Sequence, residues 1–329
     1  MNFYSKIPQI VAEIGNNHEG NTSLAKKLIK QAKYCGADAV KLQSFITENF
    51  IFYKDRKIFK KFKKFELSKK NFIKLAKYAK KIKISLFSTP FDIETAKFIN
   101  KYVNCFKIAS GDNSFWDLID FVIKTGKVVI ISTGGINQKQ LDKLVNFLKK
   151  YKKFKKNIIL LHCVSSYPVP LEKSSLCTIN LLKKTGFKIG YSDHVIGNDA
   201  SKIALMMNCK IIEKHFTLDK NFSYFRDHAL SADPDDLKDL VRFKNVLFSN
   251  DKLPEKKILN IEKEVKKFTQ RSACAKHNIK KNQVLSNKDI IFLRSIKKGV
   301  LNKDEIIGKF TRKPIVKGEL ILKKNLKVN

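Results

Sequence analysis

The 329-residue chain is 43% hydrophobic and 11% aromatic, enough for a packed core and too much for a disordered segment. It carries 67 Lys and Arg against 30 Asp and Glu, a formal net charge of +37, yet only six of those bases are Arg, at positions 56, 226, 242, 271, 294 and 312. Base readers and phosphate clamps favour the planar Arg fork, and here Lys is spread from end to end. The charge therefore reads as a lysine-covered surface that attracts anions, not as a dedicated nucleic-acid face.

Short apolar runs alternate with amphipathic stretches from residue 9 to about 248. The strand-like runs are 9–14, 38–43, 84–89, 105–108, 128–132, 158–162, 188–192 and 210–214. Helical patterns lie between them, for example 23–34, 68–81 and 138–149. In 68–81, Phe72, Leu75, Ala76 and Ala79 share one face and lysines cover the other. Near-continuous apolar strands imply burial on both faces, as in parallel sheets. Eight strand–helix units over about 240 residues predict an α/β (β/α)₈ TIM barrel. A doubly wound open sheet is the alternative, but G-x-G-x-x-G is absent.

Residues 44–67 carry Phe, Tyr and Lys irregularly and read as a long solvated loop on the active-site side of the barrel, rather than a lid or a dimer contact. Residues 249–268, including Asn250-Asp-Lys-Leu-Pro254, read as a polar linker, part helical. From 271 the pattern changes to short β-like pieces at 272–275, 290–293, 313–316 and 320–322. Two segments there read alike, Asn278-Ile-Lys-Lys-Asn-Gln-Val-Leu and Lys313-Pro-Ile-Val-Lys-Gly-Glu-Leu-Ile. The expected division is a catalytic barrel at 1–248, a linker at 249–268 and a small β-rich domain at 269–329. That domain is marginal in size alone, so docking on a barrel is expected.

No window approaches the roughly 18 uninterrupted apolar residues of a membrane helix, and the start lacks the apolar run of a signal peptide. The six cysteines form no C-x-x-C pair. Buried free thiols and a cytoplasmic location are expected.

In a barrel, functional residues lie at the carboxyl ends of the strands. Here all eight ends carry polar or charged residues. His194 and His215 close adjacent strands, so their imidazoles can share one cation and leave positions open for water and substrate. His162 sits in an apolar run and reads as a packed strand residue. Lys41, Lys107, Thr89, Ser110, Ser132 and Ser192 would ring the mouth as an anion site, the lysines supplying charge and the hydroxyls donors. Glu13 lies inside an apolar strand, where a carboxylate is costly unless paired, for instance with Lys41, or used. Asp112 and Asp227 could hold sugar hydroxyls, move protons or cap helices.

These elements resemble the sialic acid synthase family of N-acetylneuraminate, legionaminate and pseudaminate synthases. The resembling motifs are Ala12-Glu-Ile-Gly-Asn-Asn-His, Val40-Lys-Leu-Gln43, Ser88-Thr-Pro-Phe91, Lys107-Ile-Ala-Ser-Gly111, Ser132-Thr-Gly134, Tyr191-Ser-Asp-His194 and Glu213-Lys-His-Phe-Thr217, in family order. The tail from about 271 resembles the family's antifreeze-like (SAF) domain. The resemblance implies condensation of phosphoenolpyruvate with an N-acetylated mannose-type sugar to a nine-carbon 2-keto acid plus phosphate. It implies a divalent metal, Mn²⁺ or Mg²⁺, on His194 and His215, and Glu13 as the catalytic glutamate, with Lys41 beside it. Phosphoenolpyruvate would be held by Lys41, Thr89, Lys107, Ser110, Ser132, Ser165 and Ser192. Gln43, Asp112, Tyr167 and Asp227 would lie near the sugar. Arg294 would reach the partner's active site in a domain-swapped homodimer.

Three positions depart from the family pattern. Asp112 stands where neuraminate synthases have Glu after Ser-Gly, Ser165 where some carry Asn, and Phe222-Ser-Tyr-Phe-Arg226 where Pro-Gly-Pro is expected. All three lie at or near the implied sugar site and fit an altered acceptor, such as a 6-deoxy diacetamido sugar. Three rival readings compete with this one. A nucleic-acid binder is suggested by pI ≈ 9.9. A metal-dependent hydrolase would often place H-x-H on strand one, which this chain lacks. A non-catalytic sugar-phosphate binder would have no need of Glu13 with both histidines.

Overall fold

The computed structural model describes residues 5–249 and 256–327. The expected linker segment from Asn250 to Pro254 lies outside the described residues. The chain divides into two compact units, Met1–Asp251 and Lys252–Asn329.

In the first unit, eight parallel strands close into a barrel in sequence order. They are β1 (Gln9–Gly15), β2 (Ala39–Ser44), β3 (Ser85–Pro90), β4 (Cys105–Ile108), β5 (Val128–Ser132), β6 (Ile158–Cys163), β7 (Lys188–Asp193) and β8 (Ile211–His215), and β8 pairs back onto β1. Every residue of β5 and β6 is buried, because helices cover the outer face while side chains fill the interior.

The helices form where a cap meets an apolar stripe. Asn21 accepts the Leu24 N–H at the start of Thr22–Tyr34, which buries Ala25, Leu28, Ile29 and Ala32 at helical spacing. Ser68 likewise caps Lys69–Lys81, where Phe72, Leu75 and Ala79 are buried and Ala76 packs half-buried beside them. Asn137 and Gln140 form a capping box ahead of Gln138–Lys149.

The 44–67 segment differs from the solvated loop expected. It holds two helices, Thr47–Phe50 and Arg56–Phe65, and folds over an aromatic cluster of Phe45, Phe50, Phe62 and Phe91. Phe50 and Phe91 have ring centroids 4.3 Å apart. Glu66 accepts both the amide (3.0 Å) and the hydroxyl (2.6 Å) of Thr47, which closes the segment on itself.

The second unit pairs β9 (Arg271–Ala275) with β10 (Ile290–Arg294) and β11 (Phe310–Thr311) with β12 (Leu326–Lys327), both antiparallel, around a core that includes Ala273, Ile279, Leu285, Ile306, Ile315 and Ile321. The expected strands at 313–316 and 320–322 are reduced to single bridges, Ile279↔Ile315 and Cys274↔Leu320. The two similar segments thus face each other: the amide of each isoleucine donates to the other's carbonyl, at 2.9 and 3.0 Å. Their turns leave room for one bridge rather than a ladder. A further helix, Asn260–Thr269, precedes β9. No helix among the described residues is long and apolar enough to cross a membrane.

Candidate active site

The strand ends of the barrel converge on a cavity of about 50 Å³, lined by Glu13, Lys41, Gln43, Thr89, Lys107, Ala109, Ser110, Ser132, Cys163, Tyr167, Ser192, His194, Glu213 and His215. Register explains the convergence. Glu13 is the Cα partner of both Lys41 and His215, and Ser192 of Glu213, so these side chains emerge on one face of the sheet. A register shift between Glu13 and Gly15 ends β1 in a bulge, with Gly15 at φ +51°. A Cβ there would sit 3.1 Å from Glu13 Oε1, in backbone that favours glycine.

Two lysines and two carboxylates dominate the interior. Lys41 Nζ lies 3.0 Å from Glu13 Oε1 and 3.6 Å from Glu213 Oε2, and donates to Thr89 Oγ1 at 3.2 Å. Lys107 Nζ lies 3.6 Å from Glu213 Oε1, and the Ser192 hydroxyl donates to the same oxygen at 2.9 Å. Gln43 donates to Glu13 Oε1 (3.3 Å) and accepts from Asn16 (2.7 Å).

Burial pushes the Glu13 carboxyl up to about 7, with Lys41 opposing and Glu213 reinforcing the rise. For Glu213, burial acts against ionisation, but Lys107, Lys41 and the Ser192 hydroxyl together hold it below the usual range. Burial also disfavours the Lys41 cation, yet Glu13 and Glu213 keep it above its ordinary value. Lys107 is pulled down by burial, with partial relief from Glu213. One carboxylate is thus firmly ionised and the other is poised near neutrality, so the lysine charge is incompletely matched. Such a mouth suits an anion. Glu13 Oε2 and Ser132 Oγ are buried without partners, which is unfavourable unless a ligand or water fills the space.

The backbone at Gly134 approaches the cavity residue Ser110. The Gly134 N–H donates to Ser110 Oγ at 3.2 Å. A Cβ on Gly134 would fall 2.4 Å from Ser165 Oγ and 2.6 Å from Ser110 Oγ, so only glycine lets both hydroxyls approach this backbone.

The rings of His194 and His215 lie 5.4 Å apart. His194 Nδ1 lies 2.9 Å from the Val164 carbonyl, which can only accept, so the proton sits on Nδ1 and Nε2 keeps its lone pair. His215 Nδ1 is buried without a partner. Burial lowers the pKa of both, and for His215 the neighbouring His194 adds to the effect. Neutral imidazoles are the metal-binding form, so the pair fits a divalent cation that draws its remaining ligands from water or substrate. Among the described residues, no group of three His, Cys, Asp or Glu forms a closed metal cage.

Eleven of the sequence-predicted residues line this cavity; Ser165, Asp112, Asp227 and Arg294 do not. Ser165 sits exposed beside Gly134. Asp112 is half-buried, has one oxygen without a partner, and is raised to about 6 by burial despite Lys107. Asp227 is buried, ion-paired at 3.3 Å with Arg226, whose guanidinium lies 4.6 Å from the Tyr167 ring centroid. Tyr167 in turn packs on His194 at 4.1 Å. Arg294 is exposed on β10 of the second unit.

Three cavity residues, Ala109, Cys163 and Glu213, lie outside the set predicted from sequence. Glu213 stands two residues before His215 on β8, which puts both on one face. Cys163, a buried free thiol, also lines the cavity, with its sulfur 3.8 Å from His194 Nδ1. His162, by contrast, packs as expected: Nε2 meets the Ser174 carbonyl at 2.8 Å and the ring stacks on Tyr191.

The fold and mouth define a parallel eight-stranded barrel protein whose strand ends bring two lysines and two carboxylates beside paired imidazoles. The chain belongs to the NeuB family, which matches residues 28–249, and a SAF domain matches residues 270–327. An uncharacterized protein of Methanocaldococcus jannaschii is 44% identical over 291 residues, covering 87% of this chain and 84% of that protein. The N,N'-diacetyllegionaminic acid synthase of Campylobacter jejuni is 35% identical over 329 residues, covering 95% of this chain and 98% of that protein. Among solved structures, the N-acetylneuraminic acid (sialic acid) synthetase of Leptospira borgpetersenii, in complex with citrate, superposes with a TM-score of 0.72 at 32% identity. It covers 79% of this chain and 91% of that one.

Proposed function

We propose that this chain is a phosphoenolpyruvate-dependent transferase that condenses phosphoenolpyruvate with an N-acetylated mannose-type sugar. The products are a nine-carbon 2-keto acid of the N-acetylneuraminate type and inorganic phosphate. The observation that carries this reading is the mouth cavity, where Lys41, Lys107, Thr89, Ser132 and Ser192 surround Glu13 beside two neutral histidines.

In this reading Lys41 and Lys107 meet the phosphate and carboxylate charges, and Thr89, Ser110, Ser132, Ser165 and Ser192 supply donors. C3 of phosphoenolpyruvate attacks the sugar aldehyde carbon, whose oxygen gains a proton. C2 then carries cationic character and is captured by water. Glu13, with a free oxygen and a pKa near neutrality, takes the proton of that water. The tetrahedral intermediate collapses with C–O cleavage: phosphate leaves with the bridging oxygen, and the added oxygen becomes the keto group. His194 and His215 would hold Mn²⁺ or Mg²⁺, which supplies Lewis-acid polarisation of the aldehyde. Gln43, Asp112, Tyr167 and Asp227 orient the sugar. Arg294 completes the partner's site in a domain-swapped homodimer, with a barrel at 1–248, a linker at 249–268 and the SAF domain at 269–329. The enzyme works in the cytoplasm.

A second reading keeps the reaction and changes the acceptor to a 2,4-diacetamido-2,4,6-trideoxy sugar, which makes the chain a legionaminate- or pseudaminate-type synthase. The short Asp112 and the aromatic Phe222–Arg226 segment, with Arg226 over Tyr167, favour it. The similarity to the Campylobacter jejuni synthase does too. Phosphate release from phosphoenolpyruvate with Mn²⁺, run against N-acetylmannosamine and 2,4-diacetamido-2,4,6-trideoxymannose with mass detection of the keto acid, separates the two readings. Release with the first sugar alone supports the neuraminate reading and release with the second alone the other. No release with either, from folded metal-loaded protein, removes both.

A further inference from the structure

Behind the two histidines, β7 and β8 are tied by a buried ion pair that the proposed reaction does not use. Asp193 and Lys214 are register partners, 0% and 1% exposed, with Lys214 Nζ 3.0 Å from Asp193 Oδ2. Strand side chains alternate faces. Asp193 therefore stands between two cavity residues, Ser192 and His194, and Lys214 between two others, Glu213 and His215. Both point outward, toward the helix Asp199–Met206.

Asp193 is fully engaged there. Its Oδ1 accepts from the Val195 amide (2.8 Å) and the Tyr191 hydroxyl (3.2 Å), and its Oδ2 from the Ser201 hydroxyl (2.6 Å) as well as Lys214. Lys214 also donates to the Val195 carbonyl. On the far side, the Val169 amide donates to the His194 carbonyl at 3.0 Å. The backbone on both sides of His194 is thus pinned, and one bond of that network crosses directly to the residue before His215.

Taking two charges out of water is unfavourable, and an apolar pair of similar volume often serves stability as well. Geometry is what this pair adds: it fixes one strand end against the next at the point where the two imidazoles must converge. We propose that Asp193 and Lys214 are positioning residues that set the spacing of His194 and His215 for a divalent cation. This rests on the reading above that those histidines hold the metal.

The test is Mn²⁺ affinity, measured by the electron paramagnetic resonance signal of free Mn²⁺, together with thermal melts. Asp193→Asn combined with Lys214→Met removes both charges and keeps shape and most hydrogen bonds. Its affinity should fall by about 10–100-fold while the melt stays near wild type. The control is Lys244→Met, which breaks the Lys244–Asp38 pair (2.8 Å) elsewhere in the unit. It should lower the melt and leave Mn²⁺ affinity unchanged. Wild-type affinity in the folded double variant overturns the proposal. Should that variant fail to fold, Ser201→Ala, which frees one side of Asp193, decides: weakened Mn²⁺ binding supports the brace and unchanged binding overturns it. Wild-type protein that binds no Mn²⁺, or binding that survives His194→Ala with His215→Ala, overturns the metal reading and the brace with it.

Discussion

Glu13 is 1% exposed, beside one lysine and within the field of a second carboxylate. Its folded pKa, near 7, stands above the ordinary 4.5. The folded chain therefore keeps a proton there that the unfolded chain gives up earlier. The resulting stability is complete below about pH 4.5 and is lost as pH rises through about 7. The proposed role needs the ionised form, so kcat/KM should climb through the same region. Glu13→Gln should lower kcat by about 10²–10⁴-fold and flatten that limb, and at pH 8 it should melt no lower than wild type. Wild-type turnover in the variant would remove Glu13 from the chemistry. Glu13 was legible in the sequence because a lone acid in an apolar strand is conspicuous. Glu213 was not, because Lys214 and His215 follow it and a run of charged residues hides which of them face inward.

At the scale of elements, eight apolar runs marked eight strands, since strands buried on both faces need continuous Val, Ile and Leu. The 44–67 segment was opaque for the opposite reason. Of the helix Arg56–Phe65 only Phe65 is buried, so lysines dilute the apolar period, and the cluster that holds the segment joins two short helices to the turns after β2 and β3. Aromatic pairs contribute about 0.5–1.5 kcal/mol each beyond burial, and Phe50 makes contacts to Phe45, Phe62 and Phe91. Phe50→Ala should therefore loosen this segment locally. Limited trypsin digestion should cut between Lys54 and Lys64 several-fold faster, with little change in the barrel's far-UV melt. Cleavage at the wild-type rate would mean that the cluster does not hold the helices down. In the second unit, strand-like composition misplaced two of the four strands: 313–316 and 320–322 make single bridges, because a turn-rich domain can satisfy an apolar pair with one bridge, while the two-residue strands β11 and β12 are too short to show a pattern.

For the whole molecule, the chain carries a net charge of +37, and the barrel mouth has lysines only partly matched by ionised carboxylate. Both features draw small anions toward the strand ends. The family motifs lie on those ends, so the ordered set was readable before any geometry. The cross-strand brace behind the histidines was not, because its partners are far apart in the chain and look like ordinary charges. The central claim is that phosphoenolpyruvate loses phosphate by C–O cleavage after a carbon–carbon bond forms. Phosphoenolpyruvate labelled with ¹⁸O at the bridging oxygen, turned over with the accepted sugar, tests it most directly. The expected result is label in the released phosphate and none in the keto acid. Label retained in the keto acid would mean P–O cleavage and would contradict the proposed chemistry.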